Sequence, residues 1–164
     1  MNDTTAEITN QLKRIIGRWT GTGTARFPTT PTFSYREELV FQLHETQPIL
    51  HYEQRTWKQM PDSVYQPSHW ETGFWRFVSA EAVEIYNAQS SGRVEVSRGT
   101  AVITEDGFIL RLESVLIAND PRVQQTRRAI ELQGERLHYS MDMGTTAVPT
   151  LTAHLQAELQ RSSD

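Results

Sequence analysis

The sequence predicts an all-β fold, an antiparallel up-and-down β-barrel of about ten strands with a short helix at each end of the chain. Three observations carry that expectation. Apolar residues alternate at period two through most of the 164 residues, the pattern of strands with one buried face. Turns of hairpin grade, Ser90-Ser91-Gly92, Glu105-Asp106-Gly107 and Gln133-Gly134-Glu135, separate several of the runs, so neighbours in sequence should pair antiparallel. The sets that share a face mix Gln, Thr, Glu and Gly with aromatics, which suits a barrel around a cavity better than its rival, a fully packed sandwich.

The first element is a helix. Ile8, Leu12, Ile15 and Ile16 fall at helical spacing behind Asp3 and Thr4 as N-caps, and Gly17 stops the pattern. The period then changes to two. Trp19, Gly21, Gly23, Ala25 and Phe27 share one face, and the alternation recurs in Phe33/Tyr35/Glu37/Leu39/Phe41/Leu43 and in Leu50/Tyr52/Gln54/Thr56. It continues as His69/Glu71/Gly73/Trp75/Phe77 against Trp70/Thr72/Phe74/Arg76/Val78. Further strands are expected over residues 83–88, 93–104, 108–117, 123–132 and 136–143. The last element reads as a second helix from Leu151 to Arg161, with Leu151, His154, Leu155 and Leu159 on one stripe. Residues 1–164 are expected to form one domain.

Composition narrows the function classes. Six Phe, four Trp and five Tyr supply a core, and the formal charge of -4 disfavours a nucleic-acid partner. Cysteine is absent, which excludes disulfides, thiolate metal sites, a catalytic thiol and covalent c-type haem attachment. No phosphate-binding Gly-rich loop, HExxH, GxSxG or EF-hand loop occurs. The N-terminus carries acids and no apolar run long enough for a signal or membrane span, so a cytoplasmic protein with no membrane partner is expected.

Chemistry then rests on scattered residues or a bound cofactor, and the histidines are the first to weigh. On the expected C-terminal helix, His154 faces inward. It reads either as a buried histidine satisfied by a backbone carbonyl or as an axial ligand to a flat cofactor. His69 shares a strand face with Glu71 and Trp75 and reads as a rim histidine or as a distal group in the cavity. His44, His51 and His138 read as solvated. Met141 and Met143, with Phe74 and Phe77, are suited to pad a pocket or simply the core, and Arg122, Arg127 and Arg128 read as surface charge or as partners for carboxylates of a ligand, with surface charge the default.

Gly17-Arg18-Trp19-Thr20-Gly21-Thr22-Gly23 fits a GxWxGxG signature, and further fragments follow in order: Phe27-Pro28-Thr29, Phe33 to Glu38, Tyr52 to Trp57, His69 to Arg76, Ala88 to Gly92 with Glu95, and His154-Leu155 with Ala157 and Leu159. In these the chain resembles the nitrobindins, small haem barrels similar in fold to lipocalins and fatty-acid-binding proteins, over about residues 17–161. The resemblance implies haem b as cofactor, with His154 as the iron ligand, Thr29 beside the haem, Arg122 in place of a lysine at its edge and His69 lining the cavity. It implies ferric haem that binds nitric oxide and isomerises peroxynitrite to nitrate, with no catalytic side chain beyond the iron. A haem-free carrier of a fatty acid and a non-catalytic nitric-oxide sensor are the alternatives, and a homodimer is left open. The spacing from Pro149 to His154 is one residue longer than the family's usual P-L-x-x-H.

Overall fold

A computed structural model describes residues 3–28 and 30–163; Thr29, and the side chains of the expected N-caps Asp3 and Thr4, lie outside the described residues. One helix, α1 (Asp3–Leu12), precedes ten strands: β1 (Gly17–Phe27), β2 (Thr30–Leu43), β3 (Ile49–Gln59), β4 (Tyr65–Phe77), β5 (Ala82–Gln89), β6 (Val94–Ile103), β7 (Gly107–Ala118), β8 (Val123–Gln133), β9 (Arg136–Thr145) and β10 (Thr152–Arg161). Each strand pairs antiparallel with the next, and β10 returns to β1 to close the barrel. Among the described residues no helix is long and apolar enough to cross a membrane.

The expected C-terminal helix is the main correction. Residues Thr152–Arg161 form β10, which pairs from Trp19↔Arg161 to Ala25↔Leu155 with β1 and from Thr152↔Met143 to Gln160↔Arg136 with β9. Leu151, Leu155 and Leu159 recur every four residues, an interval that fits one helical turn and also two strand repeats. The neighbours separate the two readings: Ala157 and Leu159 are buried while Gln156, Glu158 and Gln160 are exposed. Closure decides the outcome, because β1 and β9 would otherwise each present an unpaired edge.

Helix α1 also ends sooner than its apolar pattern. The chain tightens over residues 13–15, where Arg14 N–H donates to the Gln11 carbonyl (3.1 Å) and Ile15 N–H to that of Leu12 (3.2 Å). Gly17, at φ +110°, then turns it into β1. Ile8, Leu12 and Ile15 thereby plug one end of the barrel, packed with Trp19, Phe41, Leu50, Trp75, Phe77 and Phe108. Trp19 is fully buried and its indole N–H donates to the Ile15 carbonyl at 2.8 Å. The Arg161 guanidinium caps its ring 4.4 Å from the centroid.

Followed away from that plug, the inward residues change character on almost every strand. On β2, Leu39 gives way to Glu37 and Tyr35; on β3, Leu50 and Tyr52 give way to Gln54 and Thr56; on β4, Trp75 gives way to Glu71 and His69. The barrel is therefore apolar and packed at the α1 end, polar across its middle, and open beyond. Gly23 belongs to the open half. A Cβ there would run into the Tyr35 ring and the Gln156 carbonyl, so glycine lets a bulky phenol lie flat across β1.

Candidate functional site

A cavity of about 510 Å³ occupies the open half, within the range that holds a cofactor-sized ligand. Phe27, Phe33, Met141, Met143, Val148 and Leu155 form its apolar walls. Phe74 and Phe77 do not contribute: Phe74 is half exposed on the outer face, and Phe77 is buried in the packed end. Of the five histidines only His69 and His154 reach the cavity. His138 is exposed on the outer face, His51 bonds Thr72 Oγ1 at 2.9 Å, and His44 accepts from the Thr46 N–H at 3.2 Å.

His154 gets inside by an irregularity. Strict alternation with Leu155, Ala157 and Leu159 would point it outward. Between Ala153↔Asp142 and Leu155↔Met141, however, β10 carries one residue more than β9, a β-bulge with His154 as the extra residue. A bulge re-aims a side chain without interrupting the sheet, and His154 is 9% exposed.

Its Nδ1 lies 2.9 Å from the Arg26 carbonyl oxygen. A carbonyl only accepts, so Nδ1 carries the proton and Nε2 keeps its lone pair, with no hydrogen bond among the described residues. Phe27 meets the ring edge-on, centroids 4.4 Å apart. Burial pushes the imidazole pKa down; the Arg26 carbonyl opposes this, and the fields of Arg93 and Arg128 add to the fall. The result is a neutral, oriented imidazole with one nitrogen to give. The structure shows the buried histidine satisfied by a backbone carbonyl, and the same bond leaves the other nitrogen available as a donor of its lone pair. Among the described residues no three His, Asp or Glu side chains gather as a metal-ion site. The donor set is one imidazole beside a large apolar space, which suits an ion that arrives already held in a flat macrocycle.

Across the cavity, the His69 Nε2 lies 3.0 Å from Glu71 Oε2, and the Tyr52 hydroxyl donates to Glu71 Oε1 at 2.6 Å. Arg128 approaches the same carboxylate at 3.8 Å. Burial works against the charge on Glu71, but the His69 bond, the Arg128 field and Tyr52 outweigh it and hold the pKa down at about 2. Glu37 has the opposite environment. The Gln54 amide donates to its Oε1 at 2.6 Å and the Tyr139 hydroxyl bonds its Oε2 at 2.7 Å, yet among the described residues no cation pairs with it. Burial dominates those two bonds, the charge of Glu71 adds to it, and the pKa is pushed up to about 8. Tyr139 continues to Tyr35 at 3.0 Å. Two carboxyls on one polar layer therefore differ in charge at neutral pH because their neighbours differ.

Arg122 stands at the cavity rim, mostly exposed, with its Nε 3.0 Å from Asp120 Oδ1. Arg127 is a surface residue paired with Glu113 at 3.1 Å. Arg128 overturns the surface reading, since its guanidinium lies inside the barrel between Glu71 and Glu95. The signal was its place in the row Thr126/Arg128/Ile130/Leu132, whose other members are buried. Arg93, 9% exposed and lining the cavity, had no such signal, because it sits at a turn just before β6.

The family model described as "THAP4-like, heme-binding beta-barrel domain" matches residues 9–161. A protein of Arabidopsis thaliana named peroxynitrite isomerase Rv2717c is 37% identical over 150 residues, covering 92% of this chain and 86% of that one. Peroxynitrite isomerase 2 of Mycobacterium avium is 33% identical over 153 residues, 92% of each chain. The crystal structure of Rv2717c from M. tuberculosis superposes with a TM-score of 0.84 at 32% identity, covering 97% of this chain and 99% of the other.

Proposed function

The chain belongs to the THAP4-like haem-binding β-barrel family, and from that premise we propose that it holds haem b through His154 and isomerises peroxynitrite to nitrate. The observation that carries this reading is the His154 imidazole, its Nδ1 proton committed to the Arg26 carbonyl and its Nε2 unbonded, on the wall of a cavity of about 510 Å³. The absence of cysteine supports a non-covalent haem. When bound, ferric haem with a single imidazole ligand supplies an open Lewis-acid position for an anionic peroxide or for nitric oxide.

The protein's own part is to position and to exclude. His154 would hold the iron from the position the bulge gives it, and the apolar walls would cover the group against bulk water. His69 lines the cavity with its ring oriented by the Glu71 carboxylate at Nε2, and would stand beside an entering anion without bonding the iron. Arg122 would take a carboxylate of the macrocycle by turning from Asp120, and the family resemblance of the FPT segment implies a role for Thr29 beside the group. A cytoplasmic location is our expectation, checked by cell fractionation.

The test uses the purified full chain. After reconstitution with haem, His154→Ala should lose the Soret band of the wild type or shift it to that of loosely held haem. Stopped-flow decay of peroxynitrite should be faster with loaded wild type than with buffer and should give nitrate. A wild-type spectrum retained by His154→Ala rejects the ligand, and decay no faster than buffer rejects the isomerase and leaves a nitric-oxide or lipid binder.

A further inference from the structure

The same cavity has a second polar centre that His154 and His69 do not use. The turn from Gln89 to Arg93 closes through the Gln89 N–H to the Arg93 carbonyl (2.9 Å), with Gly92 at φ +92° and the Arg93 N–H on Ser91 Oγ (3.4 Å). That turn carries the Arg93 side chain inward to a cavity-lining position where it is one-tenth exposed. Its Nε is enclosed and has no hydrogen-bond partner. Among the described residues no acceptor lies within hydrogen-bond reach of the guanidinium; the flanking carboxylate oxygens, Glu95 Oε2 and Asp120 Oδ2, stand off at 3.9 and 4.0 Å.

Asp120 and Glu95 Oε1 are engaged elsewhere, and Glu95 Oε2, itself without a hydrogen-bond partner, meets Arg93 only at ion-pair distance. Asp120 Oδ1 takes the Arg122 Nε at 3.0 Å. Glu95 Oε1 accepts from Thr126 at 2.6 Å and from Ser97 at 3.1 Å, with Arg128 at 3.5 Å. Arg93 is thus a nearly buried cation whose charge is partly countered but whose five donors are unspent. Leaving such donors unmet is costly, and a planar fork matches a planar oxyanion.

We propose that Arg93 is the receptor for a monovalent planar oxyanion inside the cavity, bound through the guanidinium donors that the fold leaves unspent. This deepens the proposed function by giving the anion a contact on the protein itself, and rests on that reading for the choice of nitrate as the probe. The same chemistry has two sources, a free nitrogen oxyanion or a carboxylate of the porphyrin, and two measurements distinguish them.

In the first, haem-free ¹⁵N-labelled protein is titrated with nitrate at constant ionic strength, and the arginine Nε–Hε resonances are followed. The Arg93 signal, identified by its loss in Arg93→Gln, should shift saturably while exposed arginines do not. Arg93→Lys keeps the charge without the fork and serves if Arg93→Gln does not fold; its nitrate response should be weaker, read on neighbouring backbone amides. In the second, haem and its dimethyl ester compete for wild type and variant. A porphyrin carboxylate on Arg93 should give the wild type a preference for haem of about tenfold or more that the variant loses, from the usual strength of a charged hydrogen bond. A nitrate shift assigns the free anion and a lost haem preference assigns the carboxylate. Neither response, in protein that folds, overturns the proposal, and does so without touching the His154 assignment, which is read from the Soret band.

Discussion

Replacing Glu37 by Gln should remove a loss of stability that the wild type suffers between pH 6 and pH 9. Glu37 is 2% exposed, and its pKa in the folded barrel is about 8 against an ordinary 4.5. The folded state therefore binds this proton more tightly than the unfolded chain. Its contribution is fully present below about pH 4.5 and is lost as pH rises through the folded value. At pH 6 part of the loss has already occurred; from there to about pH 8 roughly two units remain, at about 1.4 kcal/mol each, or about 3 kcal/mol in all. Gln keeps the shape, can accept from Gln54 and can donate toward Tyr139, but it has no proton to lose. Urea unfolding followed by tryptophan fluorescence at pH 6 and pH 9 measures the difference, provided the m-values agree. The wild type should fall by about 3 kcal/mol more than Glu37→Gln over that interval. Parallel pH dependence in the two proteins would refute the assignment of a neutral, buried Glu37.

Three further changes test other parts of the structure. His69→Leu should leave the ferric spectrum of the loaded protein five-coordinate; a six-coordinate wild-type spectrum that this change abolishes would mean that His69 also binds iron. Gly23→Val should destabilise the fold by about 2 kcal/mol or more, because the added side chain meets Tyr35 and the Gln156 carbonyl, and a thermal midpoint equal to the wild type would contradict that contact. Trp19→Ala should cost about 3–5 kcal/mol through the cavity it opens under α1, read as a shift of the urea midpoint.

Much of this molecule is legible in the amino-acid order, for a physical reason. A half-buried strand must alternate, and most of the strands do so cleanly enough that Glu37 and Gln54 share rows with apolar residues that face inward, while on β4 both rows carry aromatics and neither is marked as the inner one. Three features escaped: the strand character of β10, the bulge at His154 and the inward arginines. Leucines four apart satisfy both a helix and a strand, so β10 could be recognised only from the edge it closes. His154 is expected to face inward, but from a helix; in the barrel its aim depends on a bulge, a mismatch between two strands that neither strand's own sequence reveals. Arg93 and Arg128 escaped because arginine is ordinarily a surface residue; only the polar layer that receives them makes an inward position tolerable. Family resemblance singles out His154 as the proposed ligand where periodicity supplied the wrong element for it.

The seam between β1 and β10 ties the candidate site to the order in which the chain folds. Every other strand pair joins neighbours in sequence, whereas this seam brings together residues such as Thr20 and Ser162, 142 positions apart and 3.0 Å from one another at their hydroxyls. Drawing such a loop shut costs about 4 kcal/mol in chain entropy beyond a constant term, so the nine local hairpins can zip before it forms. The bond from His154 to the Arg26 carbonyl crosses the same seam. An imidazole presented in the right tautomer therefore exists only once the ring of strands is shut. A group bound at His154 draws on the closed barrel and stabilises it in return by mass action, acting as a clasp on the last joint the chain makes.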